Sequence, residues 1–432
     1  MNWRESYKSK LTTAEEAVKN IKSCDRVVLS HAAGEPRDLV KAMVDNHESY
    51  EGVEIVHMVS LGKCEYTKPE FNKNFRHNAL FVSGGTRQAV KEGWADFTPV
   101  FFAEVPRLLK EGYLPVDVVM LQVSPADEHG NFSIGTSSDY TKPAVEAAKL
   151  IIVEVNKQMP RTFGDNFVNV ADVDFIVEAD YPLSELQPSR ITAVEEAIGK
   201  NCADLIEDGS TLQLGIGSIP DAVLMFLKDK KDLGIHSEMF SDGVVDLYNA
   251  GVITNNAKTI HKGKMVATFL MGTKKLYDFI NDNPQVELYP VDYVNDPTVI
   301  MQNHKMVSIN SCIQVDLMGQ VVSDSIGPVQ FSGVGGQVDY VRGASMAKGG
   351  KSILAMPSTA AKGTISRIVA CIDKGAAVTT SRNDVHYIVT EYGIANLKGK
   401  TLAQRAEALI KIAHPDFRDQ LRADYNQLLG KN

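Results

Sequence analysis

Short runs rich in valine and isoleucine alternate with helical patterns along this chain, and no other feature constrains its fold as much. RVVLSHA (26–32), VEIVHMV (53–59), ALFVSG (79–84), VDVVMLQVS (116–124) and LIIVEVN (150–156) have the length, β-branching and turn-residue borders of buried strands. Between them, TAEEAVKNIK (13–22) predicts a helix capped by Thr12 or Thr13. A second helix is expected over 37–46, after a Gly-Glu-Pro turn. Parallel strands need crossover connections, so this alternation predicts an α/β domain with a mainly parallel sheet.

The pattern then restarts. EADYPLSELQPSRIT (178–192) holds two prolines without periodicity and reads as a linker. With Pro220 set against Pro36, both halves run helix, strand, Gly/Pro turn, helix, which points to a duplicated domain. Later strands are expected at 264–272, 306–312, 352–357, 376–381 and 387–393, and the end reads as two amphipathic helices split at His414-Pro415. At 432 residues two domains are the natural division, here 1–185 and 186–432.

Charge and cysteine usage exclude several functions. The net charge of −9 is spread along the chain without a basic block, which argues against nucleic acid as a partner. Any anion site must therefore be built locally, from backbone N–H groups or a few cations. The five cysteines, Cys24, Cys64, Cys202, Cys312 and Cys371, are far apart and never form CxxC. That spacing argues against a disulfide framework or a metal site and for a reducing cytoplasm. No apolar run is long enough to span a membrane, and the polar start MNWRESYKSK is unlike a secretory signal.

Chemistry is expected around two glycine-rich turns and one carboxylate. QLGIGSIPDAV (213–223) carries a strand through Gly215 and Gly217 into a helix, which would let backbone amides approach an anion. It lacks the third glycine of a dinucleotide fingerprint, and a plain packing turn is the alternative. QFSGVGGQVDYVRGA (330–344) holds Gly333, Gly335 and Gly336, a flexible stretch that is costly unless something must approach it closely. Between them GIHSEMFSDGVVDL (234–247) sets Glu238 among small residues and the apolar Ile235, Met239 and Phe240. A carboxylate in such partly dry surroundings is either a surface charge or a reagent with altered reactivity.

These three segments, with HMVSLGKCEYTKPEF (57–71), VSPADEHGNFSIGTSSDY (123–140) and the tail from Thr379 to Arg418, closely resemble the acetyl-CoA hydrolase/transferase family over essentially the whole chain. The resemblance implies two related open α/β domains of the class I CoA-transferase type, with the active site at their junction. It implies Glu238 as nucleophile and a ping-pong transfer of CoA through a glutamyl-CoA thioester. The donor would be acetyl-CoA or butyryl-CoA and the acceptor a short-chain acid, 4-hydroxybutyrate first, then butyrate or acetate. Hydrolysis through the same intermediate, or non-catalytic CoA binding, are the competing outcomes. Around CoA the resemblance sets Gln213, Leu214, Gly215, Ile216, Gly217, Ile219, Gly335 and Gly336, with Ser218 as a further amide donor. Asn310 would polarise the carbonyl or position Glu238, Ile313 offer an amide, and Lys362 meet a CoA phosphate unless it is a solvated surface lysine. His31 and His57, near strand ends, would bond a hydroxyl on the acyl chain, with a satisfied structural histidine as the alternative for each. CoA is expected as substrate, with no tightly bound cofactor, no metal and a homodimeric state.

Overall fold

The computed structural model describes residues 2–430, which divide into two compact units. The first unit runs to Gln187 and takes up Val266–Val294 again; the second holds Pro188–Met265 and the chain from Asn295 onward. A single cut at 185/186 omits this return. The returning segment is bound within the first unit by the pairing of Leu288 with Gly164 and by the Val291 N–H on the Asp139 carbonyl at 3.1 Å.

The first unit is built on seven strands, β1 (Arg26–Leu29), β2 (Val53–His57), β3 (Phe75–Ala79), β4 (Ala95–Phe97), β5 (Val118–Val123), β6 (Leu150–Asn156) and β7 (Phe175–Ala179). Their order is β7-β6-β5-β1-β2-β3-β4, and every pairing is parallel. Helix α1 (Arg37–Asp45) crosses from β1 to β2, and α2 (Thr141–Ala147) from β5 to β6. All six residues of β5 are buried, as a central strand covered on both faces requires. Val27, Leu29, Ile55 and Met120 pack with Leu39 and Met43 of α1 in the core.

The second sheet has β8 (Thr211–Leu214), β9 (Gly234–Ile235), β10 (Met306–Ser311), β11 (Lys351–Ala355), β12 (Tyr387–Thr390) and β13 (Gly393–Asn396). They lie in the order β9-β8-β10-β11-β12-β13, parallel except for the final hairpin. Helix α3 (Ala193–Ala203) leads in through a Thr192/Glu195 capping box. Helix α4 (Ser218–Met225) follows β8, α5 (Asp242–Asn249) follows β9, and α6 (Gln337–Met346) crosses from β10 to β11. Helices α7 (Leu402–Ile412) and α8 (Arg418–Leu428) close the chain.

The duplication is visible in the topology. In each sheet the chain first adds strands on one side of the first strand, β2 to β4 beside β1 and β9 beside β8, and then reverses to add the later parallel strands on the other side. The crossover helix after that reversal has an Asp-Tyr pair at its start, Asp139-Tyr140 at α2 and Asp339-Tyr340 in the first turn of α6. Such a reversal opens a crevice outside the carboxyl ends of the strands.

Some strands differ from expectation. Of the run 79–84 only Ala79 is in a strand; it ends β3, the more polar FRHNA. The strand's polar side chains find partners inside the sheet, His77 through Nδ1 on the Ile55 carbonyl at 2.9 Å, with the buried Nε2 left unpartnered, and Asn78 on Glu54 at 2.8 Å. The stretch 376–381 keeps only an isolated bridge from Thr380 to Val321. Among the described residues no helix is long and apolar enough to cross a membrane, and no group of three potential ligands could hold a metal ion.

Candidate active site

Glu238 sits on the turn between β9 and α5, half-buried between the buried Ser237 and Met239. Ser237 fixes that turn: its hydroxyl accepts the Leu214 N–H at 3.3 Å and donates to the Met239 carbonyl. Asn295, fully buried, donates from Nδ2 to Glu238 Oε2 at 3.0 Å, while its own Oδ1 has no hydrogen-bond partner. Gly336 closes the third side, and any side chain there would collide: a Cβ would stand 2.0 Å from Oε2 and 2.3 Å from Asn295 Nδ2. Burial, and then the negative charge of Glu238, push the Tyr340 phenol well above its ordinary value.

Both glycine turns end in helix N-termini within this unit. Gly217, at φ 107°, caps α4, so Ser218 and Ile219 supply first-turn amides that have no partner within the helix. Gly335, at φ 54°, precedes Gly336, which caps α6. Gln213 and Asn310, side by side at the ends of β8 and β10, share two amide hydrogen bonds of 3.1 and 3.0 Å. Leu214 ends β8, while Ile216 is exposed in the turn beyond it. The Ile313 amide is not available as a donor, because it is committed to the Val322 carbonyl at 2.8 Å. Lys362 stands exposed on a hairpin tip, left-handed together with Ala361.

A half-buried carboxylate that accepts from the Asn295 amide and is held in one unit with two helix starts rich in backbone amides can act as a nucleophile toward an acyl group. The description "Acetyl-CoA hydrolase/transferase N-terminal domain" matches residues 1–184, and the corresponding C-terminal domain matches residues 272–425. The chain is 65% identical to the 4-hydroxybutyrate coenzyme A transferase of Clostridium kluyveri, over 99% of this chain and 100% of that one. The chain belongs to the acetyl-CoA hydrolase/transferase family. A butyryl-CoA:acetate CoA-transferase of Anaerostipes caccae is 42% identical over 98% of this chain and 97% of that one. Among solved structures, the 4-hydroxybutyrate CoA-transferase of Porphyromonas gingivalis superposes with a TM-score of 0.86 at 45% identity, covering 99% of this chain and 100% of that chain.

The first unit of this acetyl-CoA hydrolase/transferase chain holds the two expected histidines, with different outcomes. His57 has both ring nitrogens occupied, Nδ1 by the Met58 carbonyl at 3.0 Å and Nε2 by the Tyr66 hydroxyl at 2.6 Å. Burial holds it neutral, well below the ordinary histidine value, so it has nothing left to offer a substrate hydroxyl. His31 is bound through Nδ1 to Asp139 at 2.7 Å, and its buried Nε2 has no partner. It packs against Phe102, Tyr140 and Phe269, the last ring at 4.2 Å. Asn295 is the residue that sequence reasoning missed. It stands in YVNDPTV, where an asparagine before Asp-Pro looks like ordinary turn chemistry.

Proposed function

We propose that this protein moves CoA between an acyl-CoA, either acetyl-CoA or butyryl-CoA, and a short-chain carboxylic acid, 4-hydroxybutyrate first. The placement of Glu238 carries the reading: a carboxylate held by Asn295 against a side-chain-free Gly336. The choice of acid rests on the Clostridium relative.

In the first half-reaction a Glu238 oxygen attacks the thioester carbonyl. The C–S bond breaks, the CoA thiolate leaves, and a mixed anhydride joins Glu238 to the acyl group. The thiolate then attacks the Glu238 carbonyl carbon, the first acid leaves as its carboxylate, and a glutamyl-CoA thioester remains. A second acid reverses both steps, so no general base is required. A serine or cysteine in this position would keep the acyl group and release CoA; a carboxylate can take up the CoA itself.

Each addition places negative charge on a carbonyl oxygen, and preorganised N–H donors stabilise it. Asn295 Nδ2 already faces the oxygen that stays on Glu238, and the first turns of α4 and α6 supply backbone donors. The Gln213–Asn310 pair and Leu214, Gly215, Ile216 and Gly217 would line the thioester end of CoA, and Lys362 would meet one of its phosphates. His31 Nε2 would accept the hydroxyl of the acyl chain.

CoA is then a substrate, with no resident cofactor. We place the protein in the cytoplasm as a homodimer working in short-chain acid fermentation. All five cysteines are free thiols, in keeping with a reducing compartment. The deciding assay follows butyryl-CoA with acetate or 4-hydroxybutyrate, measuring new acyl-CoA against free thiol. Transfer without thiol release supports the reading; thiol release alone makes the protein a hydrolase. Sedimentation velocity tests the dimer.

A further inference from the structure

The strand that leads to Glu238 is a two-residue edge strand. On its inner side β9 bonds to β8 and the residue before it, through the Gly234 N–H to Ser210 at 2.9 Å and the His236 N–H to Leu212 at 3.2 Å. The N–H and C=O of Ile235 therefore point outward, where no further strand of the sheet exists. Ile235 is buried, so water is a poor substitute, and an unsatisfied backbone group there would be destabilising.

The 252–254 backbone bridges Leu233 on that side, and beyond the bridge two side chains take over at Ile235. Asn255 Oδ1 accepts the Ile235 N–H at 2.9 Å, and Lys258 Nζ donates to the Ile235 carbonyl at 2.7 Å and to Lys264 at 2.6 Å. Asn255 is fully buried at φ 60°, a left-handed conformation that asparagine tolerates better than most residues. Lys258 is also buried, and its stem lies over Gly234, where a Cβ would stand 2.5 Å from its Cγ. A buried ammonium is an expensive way to fill space, and a methionine would fill the same volume more cheaply. What the ammonium adds is a strong donor that ties the Ile235 carbonyl to that of Lys264.

We propose that Lys258 and Asn255 are positioning residues for Glu238: they hold the outer edge of β9 and so fix the turn that carries the carboxylate. This rests on the reading of Glu238 as the CoA carrier. Ile235 is three residues before Glu238, and Ser237 ties the inner side of the same turn to Leu214. With both sides held, the carboxylate keeps its place against Asn295 and Gly336.

The test uses the full-length protein, Lys258→Met and Asn255→Ala. Butyryl-CoA followed by borohydride gives the single-turnover rate of thioester formation on the Glu238 peptide, and steady-state assays give kcat and KM. Misplacing a reacting group by about 1 Å costs on the order of a hundredfold, so both the trapping rate and kcat should fall about ten- to a hundredfold. KM for butyryl-CoA should stay within about twofold, since the glycine loops are untouched. A lowered Tm with kcat and trapping rate at the parent level overturns the proposal, because the pair would then serve stability alone. If Lys258→Met does not fold, Asn255→Ala decides by the same readouts. Turnover by the parent without a trapped Glu238 peptide removes the carrier reading, and this inference with it.

Discussion

Replacing Gly336 by alanine tests the site with one carbon atom. The backbone there has φ −93°, which alanine adopts without strain, so the perturbation is confined to what the new Cβ meets. It meets Glu238 Oε2 at 2.0 Å and Asn295 Nδ2 at 2.3 Å, where ordinary contact begins at 3.4 Å. The carboxylate must therefore retreat by 3.4 − 2.0 = 1.4 Å and the amide by 3.4 − 2.3 = 1.1 Å, which disturbs the hydrogen bond between them. A shift of about 1 Å at a reacting atom is worth on the order of a hundredfold in rate, or about 2.7 kcal/mol of barrier. The assay is kcat for butyryl-CoA with acetate, alongside a thermal melt to establish folding. Asn295→Ala and the double variant complete a cycle: without the Asn295 amide the carboxylate has room to retreat, so the two losses should not add. Wild-type kcat in folded Gly336→Ala would refute the reasoning, because Glu238 would then not need the position in which it is seen.

Glu238→Gln should fall at least about a thousandfold and trap no thioester, and Glu238→Asp, whose carboxylate is drawn back by one methylene, should lose on the order of a hundredfold. Burial lowers the His77 pKa from 6.5 to about 4, so the unfolded chain takes up its proton first as the pH falls. Stability is then full above pH 6.5 and declines toward pH 4, by about 3 kcal/mol from this residue, and melts of His77→Gln across that window should show a shallower decline. Gly164 has φ 107°, and a Cβ there would lie 2.1 Å from the Leu288 carbonyl oxygen. Gly164→Ala should therefore cost at least about 1–2 kcal/mol through the left-handed backbone alone and lower Tm by several degrees.

The repeated α/β pattern and the glycine turns were legible because their causes are local. A buried parallel strand must be apolar on both faces, and a backbone that passes close to a carboxylate must lack a Cβ, so β5 and Gly336 both announce themselves. Strands whose polar side chains are satisfied by tertiary partners do not, which is why β3 was displaced toward the more apolar residues 79–84. Asn295 escaped for the same reason. Its role depends on reaching a carboxylate 57 residues away, and nothing in its neighbours encodes that distance. Ile313 shows the converse: its amide looked available in one dimension but is consumed by Val322 in three. His57, at a strand end, could be read as a substrate contact or as a satisfied structural histidine, and the Tyr66 hydroxyl that decides for the second could not be read from periodicity.

With the bonding groups of Ile235 occupied by Asn255 and Lys258, the second sheet cannot grow by strand addition at the end that carries Glu238. An unsealed edge there could recruit an extended segment from another molecule, in domain swapping or aggregation, and would draw the reactive turn into that contact. At the opposite end the sheet finishes in the antiparallel β12–β13 hairpin, whose outer strand spans Gly393–Asn396. An association between copies through an edge of this second sheet would therefore use β13, the end farthest in strand order from the nucleophile.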